Sequence, residues 1–341
     1  MSRPMNDPRF APLNLALEEA LSRGLGSGFA LGVRTQGGER FQTCLGLAQR
    51  VPTPEGLTPK HRFDLASLTK VLLTTPAVLA LAAAGKLDLD DPLATHLPDV
   101  YQYDPNHPVR RVTLRQCLTH TSGLPAVEPI YTWGEGKARL EALVLQKDWA
   151  FGESVYSDIN FILLGIVIER LTGQSLAALA EEAGFAVTPG PSLAVATEAC
   201  SWRGRMVKGE VHDENAFALG GIAGHAGLFG TLDAVLNRAD ALVFGAALPP
   251  AARAAMLEKQ TDDRALGWQI RHLNWSGGGL SSARSVGHTG FTGTGVWADT
   301  ERGITWALLG NRVHPTRHTD VRAHHQFRQR IGNLVQGIFA N

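Results

Sequence analysis

Strand-like segments lie at both ends of this 341-residue chain and helix-like segments fill its middle, and this arrangement restricts the fold more than any other feature. Residues 29–34 and 41–46, on either side of a polar, glycine-containing turn, read as the two strands of a hairpin. Residues 266–272, 295–298 and 304–311 read as further strands near the other end. Phe10, Leu13, Leu15, Leu17, Ala20 and Leu21 give residues 8–24 a helical rhythm that stops at Gly24, and Val321–Phe339 reads as a closing helix. Thr231, before Leu232-Asp233-Ala234, is a predicted N-cap. Strands from both termini can share one sheet only if the middle of the chain leaves it and returns. The expected fold is α+β: an antiparallel sheet flanked by terminal helices, from residues 1–71 and 263–341, with a mostly helical domain of residues 72–262 inserted. The active site is expected in the cleft between the two.

A chemical signal stands where the first sheet segment gives way to the helical one. Ser67 precedes Lys70 by three positions at the head of an apolar helical stretch, so the two side chains share one helix face and come within hydrogen-bond reach. A serine hydroxyl is a weak nucleophile near neutral pH and needs such an activating partner. Two further elements follow: Tyr156-Ser157-Asp158 before an apolar segment at residues 159–168, and His288-Thr289-Gly290 in a glycine-rich run before a predicted strand.

In this order the three elements resemble the serine β-lactamase and penicillin-binding-protein superfamily, in particular its class C and esterase-like branch. Residues 63–66, 118–124 and 161–165 are similar to that branch as well, so the resemblance runs from about residue 29 to residue 313. Residues 211–216, 224–229, 287–294 and 311–315 resemble a narrower subgroup, the N-acetylmuramoyl-alanine amidases and low-molecular-weight penicillin-binding proteins. The resemblance implies a β-lactamase/transpeptidase-like fold and a serine hydrolase working through an acyl-enzyme. It implies Ser67 as nucleophile, Lys70 and Tyr156 as the groups that handle its proton, and Asp158, His288, Thr289, Gly290 and Phe291 as substrate and oxyanion contacts. The oxyanion donors would be the backbone N–H groups of Ser67 and Phe291.

Tyrosine and lysine both have reference pKa values of about 10, so either must be perturbed to act as base. The resembled motif carries asparagine where this chain has Asp158, and a carboxylate near Lys70 would hold the lysine charged. Tyr156 is therefore the expected base, with Lys70 and a protonated His288 favouring its phenolate; the alternative is Lys70 itself. Asp158 reads equally as the N-cap of the helix after it, Asn160 as a weaker polar contact, and His120 as a structural histidine in a turn. His212, Asp213, Glu214 and His225 match no zinc spacing and read as a polar loop over the cleft, so no metal or other cofactor is expected. His314, His318, His324 and His325 read as a solvated surface run.

Composition narrows the partners. Lysines and arginines number 32, as do aspartates and glutamates, so nothing favours nucleic acid or an anionic membrane surface. The three cysteines are far apart and odd in number, which argues for free buried thiols. Residues 1–8 lack the apolar core of a secretory signal, and residues 71–84, the most apolar run, fall short of the ~20 needed to span a bilayer. A cytoplasmic protein with a small-molecule or cell-wall-fragment substrate is expected. His288 in place of lysine and Asp158 in place of asparagine both oppose a carboxylate beside the scissile bond. That favours an ester or the lactyl amide of muropeptides over a β-lactam or D-alanyl-D-alanine peptide. The alternatives are a β-lactamase or D,D-carboxypeptidase, and a non-catalytic protein that binds cell-wall fragments.

Overall fold

The computed structural model describes residues 7–340; the start of the segment read for a leader lies outside them. Strands β1 (Gly28–Thr35), β2 (Arg40–Gln49) and β3 (Glu55–Gly56) come from the amino-terminal end. The short β4 (Phe63–Asp64) pairs with β5 (Phe229–Gly230), outside the main sheet. Strands β6 (Gln269–Ile270), β7 (Ser285–Thr289), β8 (Gly295–Asp299) and β9 (Ile304–Gly310) complete a seven-stranded sheet of order β3-β2-β1-β9-β8-β7-β6. Its pairings are antiparallel, and β1 meets β9 at the centre, with Phe29 opposite Gly310 and Thr35 opposite Ile304.

Alternation along β1 sends Phe29, Leu31 and Val33 to one face and Ala30 and Gly32 to the other. The first face is covered by α1 (Ala11–Ser22) and the closing α6 (Val321–Phe339), through Phe10, Leu13, Leu17, Ile331 and Val335 around the stacked rings of Trp297 and Trp306. The second face receives α5 (Leu232–Val243), whose Leu236 lies so close to Gly32 that a Cβ there would sit 2.6 Å from its Cδ1. α5 follows Thr231, which caps it by accepting the Ala234 N–H. Although its residues fall inside the 72–262 segment, this helix packs on the sheet. The helices from the rest of that segment include α2 (Thr75–Ala83), α3 (Leu114–Thr119) and α4 (Asp158–Thr172), of which α4 is buried along residues 159–168.

Several local expectations are corrected. The strand expected at residues 266–272 shrinks to Gln269–Ile270, while Ser285–Thr289 forms a strand although its sequence did not suggest one. Gly287 disguises it: the Trp297 indole occupies the space where a Cβ would stand, 2.2 Å away. His314 and His324 are buried rather than solvated, His314 accepting the Arg50 N–H at 2.8 Å. Cys44, Cys117 and Cys200 are free, the last two buried. Among the described residues no single helix is long and apolar enough to cross a membrane.

Candidate active site

The Ser67 turn is set by a buried carboxylate. Asp64 accepts the N–H groups of Ala66 at 2.8 Å and His212 at 2.6 Å, and Ala66 takes a left-handed φ of 46° that reverses the chain before the serine. Tight i→i−3 bonds follow, ending with Lys70 N–H to the Ser67 carbonyl at 3.1 Å. The helix then widens over Lys70–Thr74, the Thr75 N–H reaching back to the Lys70 carbonyl, before regular turns resume in α2. Pro76 lacks an N–H to serve the Leu72 carbonyl, and Arg238 Nε donates to that oxygen at 3.0 Å.

Lys70 is fully buried beneath the serine. Its Nζ donates to Ser67 Oγ at 3.0 Å and to the His225 carbonyl at 3.2 Å, and lies 2.7 Å from Asp158 Oδ1. The Tyr156 ring centre is 4.9 Å from the same atom. Burial by itself would push the ammonium toward neutrality, but Asp158 and Tyr156 outweigh it and hold the Lys70 pKa above the ordinary lysine value. The His225 carbonyl is brought there by Gly224, which crosses α4 so closely that a Cβ would stand 1.9 Å from the Phe161 carbonyl oxygen.

Asp158 is the first residue of α4 and does not cap it. Ser157 does, its Oγ accepting from Asn160 N at 3.4 Å and donating to the Pro125 carbonyl at 2.6 Å. The carboxylate is left for Lys70, while Asn160 is buried and accepts from Ser122 Oγ at 2.6 Å. His120 ends α3 with a φ of 58°, accepts the Ser157 N–H on Nδ1 at 3.0 Å, and packs its ring 4.4 Å from that of Tyr156. It buttresses the tyrosine from behind. Burial, reinforced by Arg264 and Lys70, depresses its pKa well below the usual histidine value, and the neutral ring carries its proton on Nε2.

Opposite them, β7 presents His288, paired across the sheet with Val296. Its Nδ1 lies 3.0 Å from the Thr289 carbonyl, which only a protonated nitrogen can satisfy, so in the neutral ring Nε2 carries a bare lone pair. Burial, then Lys70 and Arg264, hold the His288 pKa well below the usual value. The protonated His288 expected from the sequence is thereby replaced by a neutral one. The second cation beside Tyr156 is Arg264, whose guanidinium carbon is 5.3 Å from the ring centre. No motif marks Arg264 in the sequence; its position is purely tertiary.

Ser67, Tyr156, Asp158 and residues 288–291 line one cleft of about 630 Å³, with Lys70 below its floor. Gly290 has no room for a side chain, since a Cβ would stand 2.1 Å from Thr294 Oγ1 and 2.6 Å from the Leu65 carbonyl oxygen. The N–H groups of Ser67 and Phe291 make no intramolecular hydrogen bond among the described residues. Asp158, Asp213 and His225 bring ligand-type atoms within 4.8 Å of one another, but Asp158 already faces the buried ammonium and Asp213 binds His225 Nε2 at 2.8 Å. A cation there would be repelled by Lys70. His212 and Glu214 instead join Glu198 and Arg317 in a polar network at the rim.

The family model for beta-lactamase matches residues 17–330. The chain belongs to the beta-lactamase family. It is a serine hydrolase of this fold, of the kind that acts on amides and esters through an acyl-enzyme. Among curated relatives, an N-acetylmuramyl-L-alanine amidase of Bacillus subtilis (strain 168) is 30% identical over 314 residues, covering 76% of this chain and 70% of that protein. A putative D-alanyl-D-alanine carboxypeptidase of Escherichia coli (strain K12) is 29% identical over 317 residues, covering 76% and 71%. The D-amino acid amidase from Ochrobactrum anthropi SV3, solved with L-phenylalanine amide, superposes with a TM-score of 0.75 over 97% of this chain and 99% of its own. At 18% identity that likeness concerns the fold alone.

Proposed function

We propose that this family member is an amidase or esterase for uncharged scissile groups, most specifically for the lactyl amide that joins muramic acid to peptide in cell-wall fragments. Ser67 Oγ attacks the carbonyl and Tyr156 takes its proton. The tetrahedral oxyanion is held by the N–H groups of Ser67 and Phe291. Tyr156 returns the proton to the leaving amine or alcohol, and then activates the water that hydrolyses the acyl-enzyme. Lys70 stays charged throughout, as a fixed cation between serine, tyrosine and Asp158. The parts expected from the sequence, residues 1–71 with 263–341 and residues 72–262, serve in this reading as the two walls of the cleft.

The observation that carries the substrate assignment is the neutral His288, which places no positive charge where carboxylate recognition needs a cation. Asp158, on the facing wall, spends the Lys70 charge in an ion pair, so a β-lactam or D-alanyl-D-alanine terminus fits less well. The B. subtilis relative's name agrees with this choice. Three free thiols suit a reducing compartment, and we place the activity in the cytoplasm. The test is to assay the purified protein on muropeptides, short p-nitrophenyl esters and a chromogenic cephalosporin, following acyl adducts by intact mass. Muropeptide or ester turnover, absent in Ser67→Ala, is expected, together with labelling of Ser67 by a fluorophosphonate. Preferential acylation by the cephalosporin would overturn the substrate assignment, and labelling at another serine would relocate the nucleophile.

A further inference from the structure

A buried cation without a counter-ion stands behind the oxyanion loop. Arg328, on α6, is 8% exposed, and among the described residues no carboxylate lies within 4.0 Å of it. Its Nη2 donates to the Gly290 carbonyl at 3.1 Å and to the Thr294 carbonyl at 2.7 Å. Neither oxygen depends on it: Thr294 O also accepts the Gly290 N–H at 2.8 Å, and Gly290 O the Gly293 N–H at 3.2 Å. A turn that needed only hydrogen-bond satisfaction would not require an unpaired guanidinium, which is costly to bury. A charge that acts on it is that of another cation, Arg312, whose Nη2 and Nε donate to the next carbonyl along, that of Phe291, at 2.7 and 3.2 Å.

The Gly290 carbonyl and the Phe291 N–H belong to one planar peptide group and point in opposite directions when it is trans, as it is here. A positive donor on the oxygen draws electron density from the nitrogen side and strengthens that N–H as a donor. The other oxyanion amide is backed differently. Its peptide carbonyl, that of Ala66, accepts only neutral groups among the described residues, Thr69 Oγ1 at 2.7 Å and Thr69 N at 3.1 Å.

We propose that Arg328 is a positioning residue for the oxyanion hole: bonded to the Gly290 carbonyl, it polarises the Gly290–Phe291 peptide, so that the Phe291 N–H meets the developing oxyanion as a charge-backed donor. This rests on the reading of Ser67 as nucleophile and Phe291 N–H as oxyanion donor. Preorganised dipoles of this kind act on the transition state far more than on the bound substrate. Arg328 borders the same cleft, and the role proposed for it is exerted through the Gly290 carbonyl.

The test exploits an opposition between stability and rate. Arg328→Met removes a buried unpaired charge while both carbonyls keep their backbone donors, so its Tm is expected to equal or exceed that of the wild type. Its kcat on a p-nitrophenyl ester should fall at least about tenfold, below the ~100-fold or more for deleting a donor outright, with KM within about twofold. Affinity for a reversible phenylboronate, whose tetrahedral adduct carries the negative charge, should weaken by a factor comparable to the loss in kcat. Arg328→Gln, which keeps a neutral donor, should show the same losses and carries the test should the methionine variant not fold. A kcat within twofold of wild type, or a lost rate with unchanged boronate affinity, would overturn the inference. Fluorophosphonate labelling runs alongside: labelling at Ser67 with an unaltered kcat in the variant sinks this inference alone, whereas no labelling of Ser67 in the wild type sinks the reading beneath it.

Discussion

Lys70 makes three polar contacts from a fully buried position, and those contacts decide what it can do. An ammonium 2.7 Å from a carboxylate and 3.0 Å from a serine hydroxyl is a poor proton acceptor, because taking a proton from Ser67 requires it first to lose one that Asp158 stabilises. Tyr156, with Lys70 and Arg264 near its ring and His120 behind it, is the group to which the proposed mechanism gives the task. Tyr156→Phe should therefore lower kcat at least about a hundredfold while leaving the fold intact. Steady-state kinetics on an ester substrate decide it, and a loss below tenfold would return the base to Lys70. His288 stands where the resembled motif would have a lysine, and its buried ring is held neutral, which is the basis of the substrate preference proposed above.

At the scale of elements, the site depends on how closely the Gly224 loop crosses α4. That crossing delivers the His225 carbonyl to Lys70, and Thr74 Oγ1 anchors it by donating to the Gly224 carbonyl at 2.6 Å. Gly224→Ala would force its Cβ to within 1.9 Å of the Phe161 carbonyl oxygen, so loop and helix must separate. The expected cost is about 1–3 kcal/mol in urea unfolding, accompanied by a fall in kcat as Lys70 loses an acceptor. Gly337→Ala is the matched control. It lies in α6 with open space at its Cβ position, and should stabilise by about 0.5–1 kcal/mol through helix propensity, without altering rate. Equal stability of the two variants would refute the packing argument.

At the scale of the molecule, buried histidines set the acid limit. His120, His288, His314 and His324 all have pKa values depressed by burial, His314 to about 4. Below the ordinary histidine value of about 6.5 the unfolded chain takes up protons that the folded chain refuses. Stability present at neutral pH is therefore lost as pH falls, at up to ~1.4 kcal/mol per pH unit for each such group. Glu198 opens a second window. Burial works to raise its pKa, but hydrogen bonds from His212 and Arg317 prevail and bring it to about 2, so its contribution disappears between the ordinary glutamate value and that point. Asp64 and Glu141, both raised by burial, act in the opposite sense, two groups against several. Urea midpoints should fall steadily from pH 7.5 to pH 5, and a flat profile would contradict the account.

The sequence alone determined whatever depends on near neighbours in the chain. Ser67 and Lys70 meet because they are three residues apart at a helix start, Thr231 caps α5 because a threonine there can reach its own helix, and Val321–Phe339 is a helix because its apolar residues repeat at the helical period. Strands β1, β8 and β9 were readable within a residue or two from their composition. Only the tertiary structure decided features that depend on distant residues. β7 was hidden because Gly287 serves a tryptophan on the next strand rather than its own segment. Asp158 pairs with Lys70 instead of capping α4, because Ser157 takes the cap and the helix start is aimed at a lysine 88 positions earlier in the chain. The neutrality of His288, the burial of His314 and His324, and the placing of Arg264 and Arg328 follow from desolvation and from charges on other elements. Those are properties of where a residue ends up, and no local pattern encodes them.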